Sequence, residues 1–188
     1  MLEFRDIVTQ PKKITDKIRE FRNRDDIRQW MYNDHIIGED EHSRWLESLR
    51  QSSISSSDKP KRQVFVICDD DLPMGVVNLR DIDWIHSTAS WGIYIAERTE
   101  IKKVGVKALN FIMQYAFYGL GLKKLNSTVF GNNKRGLIFN QTCGMKFQGV
   151  FRNEIQFDSL QRVDLYSFGL TKREWEENIK EIEQYPNK

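Results

Sequence analysis

Residues 99–120, TEIKKVGVKALNFIMQYAFYGL, join a short basic loop to an amphipathic helix. Leu109, Ile112, Met113, Ala116, Phe117 and Leu120 recur at helical spacing and form one apolar face. Immediately upstream, residues 89–96 (ASWGIYIA) carry the aromatic and β-branched residues of a strand. A strand, a loop ending at Gly105 and a helix, in that order, build an anion site. The free N–H groups of the helix's first turn point out of the loop, and the helix dipole favours negative charge there. Lys102, Lys103 and Lys107 add positive charge around that turn. The expected ligand carries phosphate.

Outward from this stretch, residues 63–69 and 74–81 read as a hairpin joined by the turn-rich DDLP, and residues 124–130 as a further strand. Asn133 offers an N-cap and Cys143-Gly144 a C-cap, which predicts a short helix over 134–142. Residues 149–157 and 162–170 read as an antiparallel pair, followed by a charged helix over 172–184. Toward the N-terminus, residues 2–8 alternate as a strand. Residues 14–32 carry helical spacing in two pieces, broken by RNRDD at 22–26, and residues 39–50 form another helix with His42, Trp45, Leu46 and Leu49 on one face. The Ser-rich QSSISSSDKPK at 51–61 reads as a polar loop inside the domain. The order β-αα-α-βββ-α-β-α-ββ-α mixes hairpins with crossovers, so the class is α+β with a mixed sheet.

The 188 residues suffice for one domain, 1–188. Lys plus Arg (29) nearly balance Asp plus Glu (27), which argues against wholesale nucleic-acid binding. No apolar run is long enough to span a bilayer, and the first residues lack the apolar core of a signal peptide. Cys68 and Cys143 lie far apart without CxxC spacing, and read as reduced thiols of a cytoplasmic protein. His35, His42 and His86 form no metal-ligand pattern.

Glu100, Lys103 and Gly105 fall on the three defined positions of a [Q/R]-x-x-G-x-[G/A] loop motif, the last matching. Asn133, Gly136, Phe139 and Asn140, with Gly144 and Phe147 behind them, fall on N-x-x-A-x-x-L-Y followed by GF. With these motifs the element order resembles the GNAT superfamily of acetyl-CoA-dependent N-acetyltransferases over almost the whole chain. Near the N-terminus, Phe21, Arg22, Asn23, Ile27, Met31, Glu41, His42, Trp45 and Leu46 are similar to the opening of the acetyltransferases of pseudaminic acid biosynthesis. The reaction this resemblance implies is acetylation of the 4-amino group of UDP-4-amino-4,6-dideoxy-N-acetyl-β-L-altrosamine, a step toward flagellin glycosylation.

The resemblance implies a mostly antiparallel sheet whose central strands splay, flanked by helices, with acetyl-CoA in the gap. Main-chain groups of Ile93, Tyr94 and Ile95 would pair with the pantetheine. The N–H groups of Lys102, Lys103, Val104, Gly105 and Val106 would hold the pyrophosphate, with Lys107 adding charge and Asn133 and Phe139 lining the cofactor site. Lysine serves at Lys103 if that position avoids positive φ, and otherwise the site is strained or displaced. A side chain at Gly105 would block approach to the pyrophosphate.

Acetyl transfer needs deprotonation of the amine, stabilisation of the thioester oxygen and departure of the thiolate. A backbone N–H near Tyr94 or Ile95 suits the oxygen. Glu41 and His42 are both candidates to take the proton. Relatives place a tyrosine where Asn140 stands. Asparagine can hydrogen-bond the sulfur, with water or Tyr94 supplying the proton. On the acceptor side, Arg22 and Asn23 either grip the sugar nucleotide or cap a helix corner. Met31, Trp30, Trp45 and His42 either line a sugar pocket or pack in the core. The expected partner is a small-molecule amino sugar nucleotide, with a homodimer possible. The rivals are a ribosomal-protein or peptide N-terminal acetyltransferase, favoured by Asn140, and a non-catalytic acyl-CoA-binding protein.

Overall fold

The structure, a computed structural model, describes residues 1–54, 59–97, 103–157 and 160–184, with the side chains of all of these except 53–54 and 179–184. Its strands are β1 (Leu2–Asp6), β2 (Gln63–Asp69), β3 (Leu72–Asp83), β4 (Thr88–Ile95), β5 (Lys124–Phe130), β6 (Lys146–Gln156) and β7 (Arg162–Thr171). They form one sheet in the spatial order β1-β2-β3-β4-β5-β7-β6. Neighbours are antiparallel except β4 and β5, which run parallel. The helices are α1 (Lys12–Asn23), α2 (Asp25–Arg28), α3 (Glu39–Ile54), α4 (Val104–Gln114), α5 (Lys134–Thr142) and α6 (Lys172–Gln184).

Strand alternation sorts side chains to two faces. Val77 and Leu79 of β3, Ala89 and Trp91 of β4, and Leu125 and Val129 of β5 pack with Ala108, Leu109, Ile112 and Met113 of α4 in the main core. On the other face, Val64, Val66 and Val76 pack under Ile18 and Phe21 of α1 and Leu46 and Leu49 of α3. The helices therefore cover the two faces unequally. The second face is roofed by α1 and α3 at the β2–β3 side. Past the roof, Asn78, Arg80, Ser90, Asn126 and Thr128 occupy the strand positions that face this way.

Pairing of β4 with β5 is short. Thr88 faces Lys124, Ala89 faces Leu125 and Ser90 faces Asn126, and there the ladder ends although both strands continue. The two strands thus form a fork. Within it, the direction of the backbone is fixed by one bond: Ala96 N–H donates to the Met74 carbonyl at 2.7 Å. Alternation along an antiparallel ladder then turns the main-chain groups of Tyr94 toward β3 and those of Ile93 and Ile95 toward the fork. The Lys123 N–H bond to the Ser87 carbonyl, at 2.7 Å, agrees with this phase.

Some boundaries differ from the sequence reading. The helix after β4 is α-helical only to Gln114 and then widens into a π-turn over Tyr115–Gly119, where Leu120 N–H bonds the Tyr115 carbonyl at 2.9 Å. The wider turn accompanies the edge-on packing of Tyr115 on Phe65 and the contact of Phe117 with Trp175. Helix α3 runs past Arg50 into the Ser-rich stretch. Ser48 and Ser52 bond back to the carbonyls of Trp45 and Leu49, so these serines fit the helix rather than ending it. Residues 55–58 of that stretch lie outside the described residues. The DDLP turn is tighter than expected. Leu72 and Pro73 belong to β3, with the register shift at Ile67/Cys68 opposite Pro73 and Asp70 at φ 52. Helix α2 stops at Arg28, so Trp30 and Met31 follow it in a turn. In the second half, β6 begins at Lys146, ahead of the expected 149.

Gly75 sets how closely β3 approaches β4. A Cβ there would lie 2.2 Å from the Tyr94 carbonyl oxygen. Gly75→Ala is expected to destabilise the protein by about 2 kcal/mol, the scale of overpacking against main chain, read as a lower urea midpoint. An unchanged midpoint would mean that β4 tolerates displacement.

Candidate active site

One side of the fork is built by β4, α4 and α5. The first turn of α4 opens at Val104, with exposed Lys103 and Lys107 beside it. Lys103 adopts φ 58, ψ 34, the left-handed region. The condition of a negative φ at this position is therefore not met, and lysine bears a strain that glycine would avoid. Lys102 lies outside the described residues. Gly105 faces inward: a Cβ there would sit 3.1 Å from the Phe139 ring and 3.7 Å from Ile95 Cδ1. A side chain at Gly105 would press on the fork wall.

Helix α5 starts as its sequence predicts, with Asn133 Oδ1 accepting from Gly136 N–H at 2.9 Å. Asn140, one turn from Gly136, is buried and donates Nδ2 to the Gly136 carbonyl at 2.9 Å. Its Oδ1 is buried with no partner among the described residues, as are Asn132 Oδ1 and Trp91 Nε1. Trp91 and Asn140 lie on β4 and α5, and Asn132 lies in the turn between β5 and α5. Unmet donors and acceptors here, with the open main chain of Ile93 and Ile95, fit a ligand rich in amides. The pantetheine arm of acetyl-CoA is such a ligand, and a helix N-terminus flanked by lysines suits its diphosphate.

The opposite side of the fork is bounded by the 31–38 segment between α2 and α3. Residues of the α1–α2 corner hold it. Asn23 makes a two-way bridge to Ile37, donating Nδ2 to the carbonyl at 2.9 Å and accepting from the N–H at 2.8 Å. Arg22 Nη2 donates to the Asn33 carbonyl, and Arg28 Nη1 to the Asp34 carbonyl at 2.5 Å. Arg24 ties the same corner to the end of β4 through the Ala96 carbonyl at 2.9 Å. Both the nitrogen and the oxygen of the Asn23 amide are thus engaged. Arg22 and Asn23, read as gripping the sugar nucleotide or capping a helix corner, hold main chain at the corner, and Arg22 Nη1 is buried with no partner among the described residues. Burial pushes the Arg22 guanidinium below its ordinary value, while Tyr94, Asp34 and Glu41 pull it upward.

His42 is 5% exposed. Its Nε2 bonds the Thr15 carbonyl at 2.9 Å and its ring lies against Trp45. Burial lowers its pKa from 6.5. Both His42 and Trp45 pack between α3 and α1, which is the core alternative for this face. Glu41 is open, and both its oxygens lie 2.8 Å from Nε2 of His35, a partner that the sequence reading passed over. Tyr94 directs its hydroxyl under α1, to the Ile18 carbonyl at 3.4 Å, and burial raises its pKa. As a proton source for a thiolate in the fork, Tyr94 is therefore badly placed. Trp30 packs with Phe130 and Phe157, and Met31 is half-buried beside Tyr32.

The profile of the acetyltransferase (GNAT) domain family matches residues 7–146. The chain belongs to the GNAT acetyltransferase family. This GNAT chain is accordingly an acetyl-CoA-dependent N-acetyltransferase. It is 28% identical over 137 residues to Acetyltransferase PseH of Campylobacter jejuni subsp. jejuni serotype O:23/36 (strain 81-176), covering 73% of this chain and 80% of the relative. It is also 28% identical over 118 residues to spermidine N(1)-acetyltransferase of Escherichia coli (strain K12), covering 58% and 63%. Its fold is similar to that of spermidine N-acetyltransferase from Vibrio cholerae, solved in complex with CoA and spermine. The TM-score is 0.79 at 20% identity, over 93% of this chain and 97% of that one.

Two outcomes follow from the site. Lys103→Gly relieves the left-handed lysine and is expected to raise stability by about 1 kcal/mol in urea unfolding; a decrease would show that the lysine side chain stabilises the turn. For His42, a folded pKa below 6.5 means that the unfolded chain binds more protons on acidification, so stability falls as pH drops below that value. His42→Gln, which keeps a donor for Thr15, is expected to flatten this part of the stability–pH curve. An unchanged slope would assign the acid sensitivity elsewhere.

Proposed function

We propose that this enzyme transfers acetyl from acetyl-CoA to the 4-amino group of a UDP-linked amino sugar, in pseudaminic acid biosynthesis. The observation that carries this reading is the character of the open sheet face across the fork from α4. Asn78, Arg80, Ser90, Asn126, Thr128 and Ser167 face this side by strand alternation and pairing. They provide hydroxyls, amides and the Arg80 guanidinium, whose Nη1 also meets Asp81 Oδ2 at 3.2 Å. Such a face suits a polyhydroxylated, phosphate-bearing acceptor. The similarity to PseH relatives and the match of the 21–46 segment to the pseudaminic acid enzymes support the same acceptor.

Acetyl-CoA supplies the activated acetyl group. The ladder leaves the N–H groups of Ile93 and Ile95 turned into the fork. One would donate to the carbonyl oxygen as it gains charge and the other to the pantetheine arm, since i and i+2 amides of a strand stand too far apart to share one oxygen. The N–H groups of Lys103, Val104, Gly105 and Val106, with the charge of Lys107, would hold the diphosphate. Phe139 forms the wall behind Gly105, and Asn133 closes the start of α5. Asn140 Oδ1 would accept from an amide N–H of the arm. The amine loses its proton to the solvent-open Glu41–His35 pair rather than to sealed His42. The C–N bond forms as the C–S bond breaks, and water returns a proton to the thiolate.

A polyamine acceptor is the second reading, favoured by a shallow pocket of about 380 Å³ lined by Asp25, Asp26 and Asp34. Two of these carboxylates are already neutralised, Asp25 by Arg28 at 2.6 Å and Asp26 by Arg24 at 2.7 Å. That leaves little charge to attract a polycation, and the sugar reading is preferred. Isotope-labelled acetyl-CoA offered with the UDP-amino sugar, spermidine, a ribosomal extract or no acceptor separates the readings. Label is expected on the sugar nucleotide, with kcat/KM about a hundredfold above that for spermidine, a preference of about 2.7 kcal/mol. Preferential labelling of spermidine or of a ribosomal protein would overturn the proposal.

A further inference from the structure

Tyr32 lies in the 31–38 segment and is 57% exposed. Its hydroxyl is 2.9 Å from Thr128 Oγ1. The Arg80 guanidinium stands 5.7 Å from its ring centroid, and Phe130 meets the ring edge-on at 5.6 Å. Arg80 is on β3 and Thr128 on β5, both on the face away from α4, and the two strands are separated by β4. Two strand spacings amount to roughly 10 Å, so Tyr32 and the extended Arg80 side chain together bridge over β4. Arg80 pairs with Ser90, and Ser90 with Asn126, the last rung before β4 and β5 part. Thr128 is the next residue of β5 on the same face. The Tyr32 hydroxyl therefore stands at the crotch of the fork, on the side opposite α4.

We infer that Tyr32, with Thr128, holds the attacking amine of the acceptor against the thioester. The inference rests on the reading of the open face as the acceptor side. The two hydroxyls share one proton between them and keep a second, together with free lone pairs. Such a pair accepts a hydrogen bond from an amine N–H, which turns the nitrogen lone pair toward the carbon in the fork. Arg80 and Phe130 fix the ring, and the bonds from Arg22, Asn23 and Arg28 fix the segment that carries it. The Arg22–Asn23 signature thereby acts at one remove, as a positioning device for Tyr32.

Tyr32→Phe retains the ring and removes the hydroxyl. On whichever acceptor the wild-type enzyme turns over, it is expected to lower acceptor kcat/KM about tenfold or more, the effect of one hydrogen bond to a reacting group, with the acetyl-CoA dissociation constant and Tm unchanged. Thr128→Val is expected to give a similar loss, and the double variant a loss smaller than the product of the two. Wild-type kcat/KM in Tyr32→Phe would overturn the inference. So would a loss that tracks a fall in Tm, because Tyr32 would then be only an anchor of its segment. The acceptor panel on the wild-type enzyme is read separately: turnover of spermidine alone would remove the sugar proposal while leaving the Tyr32 ratio measurable.

Discussion

The site depends on where hydrogen bonding between β4 and β5 stops. Three rungs join the strands, and beyond Ser90 and Asn126 no strand among the described residues pairs with β4 on that side. An open row of N–H and C=O groups in the middle of a sheet is costly unless something pairs with it. Here the core holds the row open, because Trp91 packs with Phe139 on α5 and Gly105 fits against the same ring. The cofactor's arm can then act as the missing strand. Trp91, Asn132 and Asn140 each keep an unmet polar atom among these elements, in keeping with a site that is complete only when filled.

The two sides of the fork have different construction. The α4 side is a packed core that ends in a helix N-terminus, and its rigidity comes from aliphatic and aromatic burial. The other side is a short irregular segment whose shape comes from side chains bonding its main chain. Asn23 imitates a strand neighbour for Ile37, while Arg22 and Arg28 bond the carbonyls of Asn33 and Asp34. Segments held by a few polar contacts can vary between relatives without disturbing the sheet.

Much of the architecture was legible because periodicity and capping agree locally. Strand β5, helix α5 with its Asn133 cap, and helix α6 have the bounds that their sequences predict. The π-turn after Gln114 was not legible, since its apolar spacing equals that of an ordinary helix. The serines of α3 misled because a hydroxyl that favours a turn also bonds back within a helix. Site residues read from one position each fared unevenly. His42 carries the same spacing whether it faces a pocket or α1, and only the fold shows it against Thr15. Tyr32 was invisible because its partners, Arg80 and Thr128, are brought together by strand order alone.

Amide hydrogen exchange followed by NMR, with and without CoA, tests the fork most directly. If the arm pairs with β4 as a strand would, CoA slows exchange at Ile93 and Ile95 by about tenfold or more beyond the general stabilisation, whereas Tyr94, already bonded to β3, gains only the general effect. Equal protection at all three amides, or none at Ile93 and Ile95 while CoA is bound, would contradict the account.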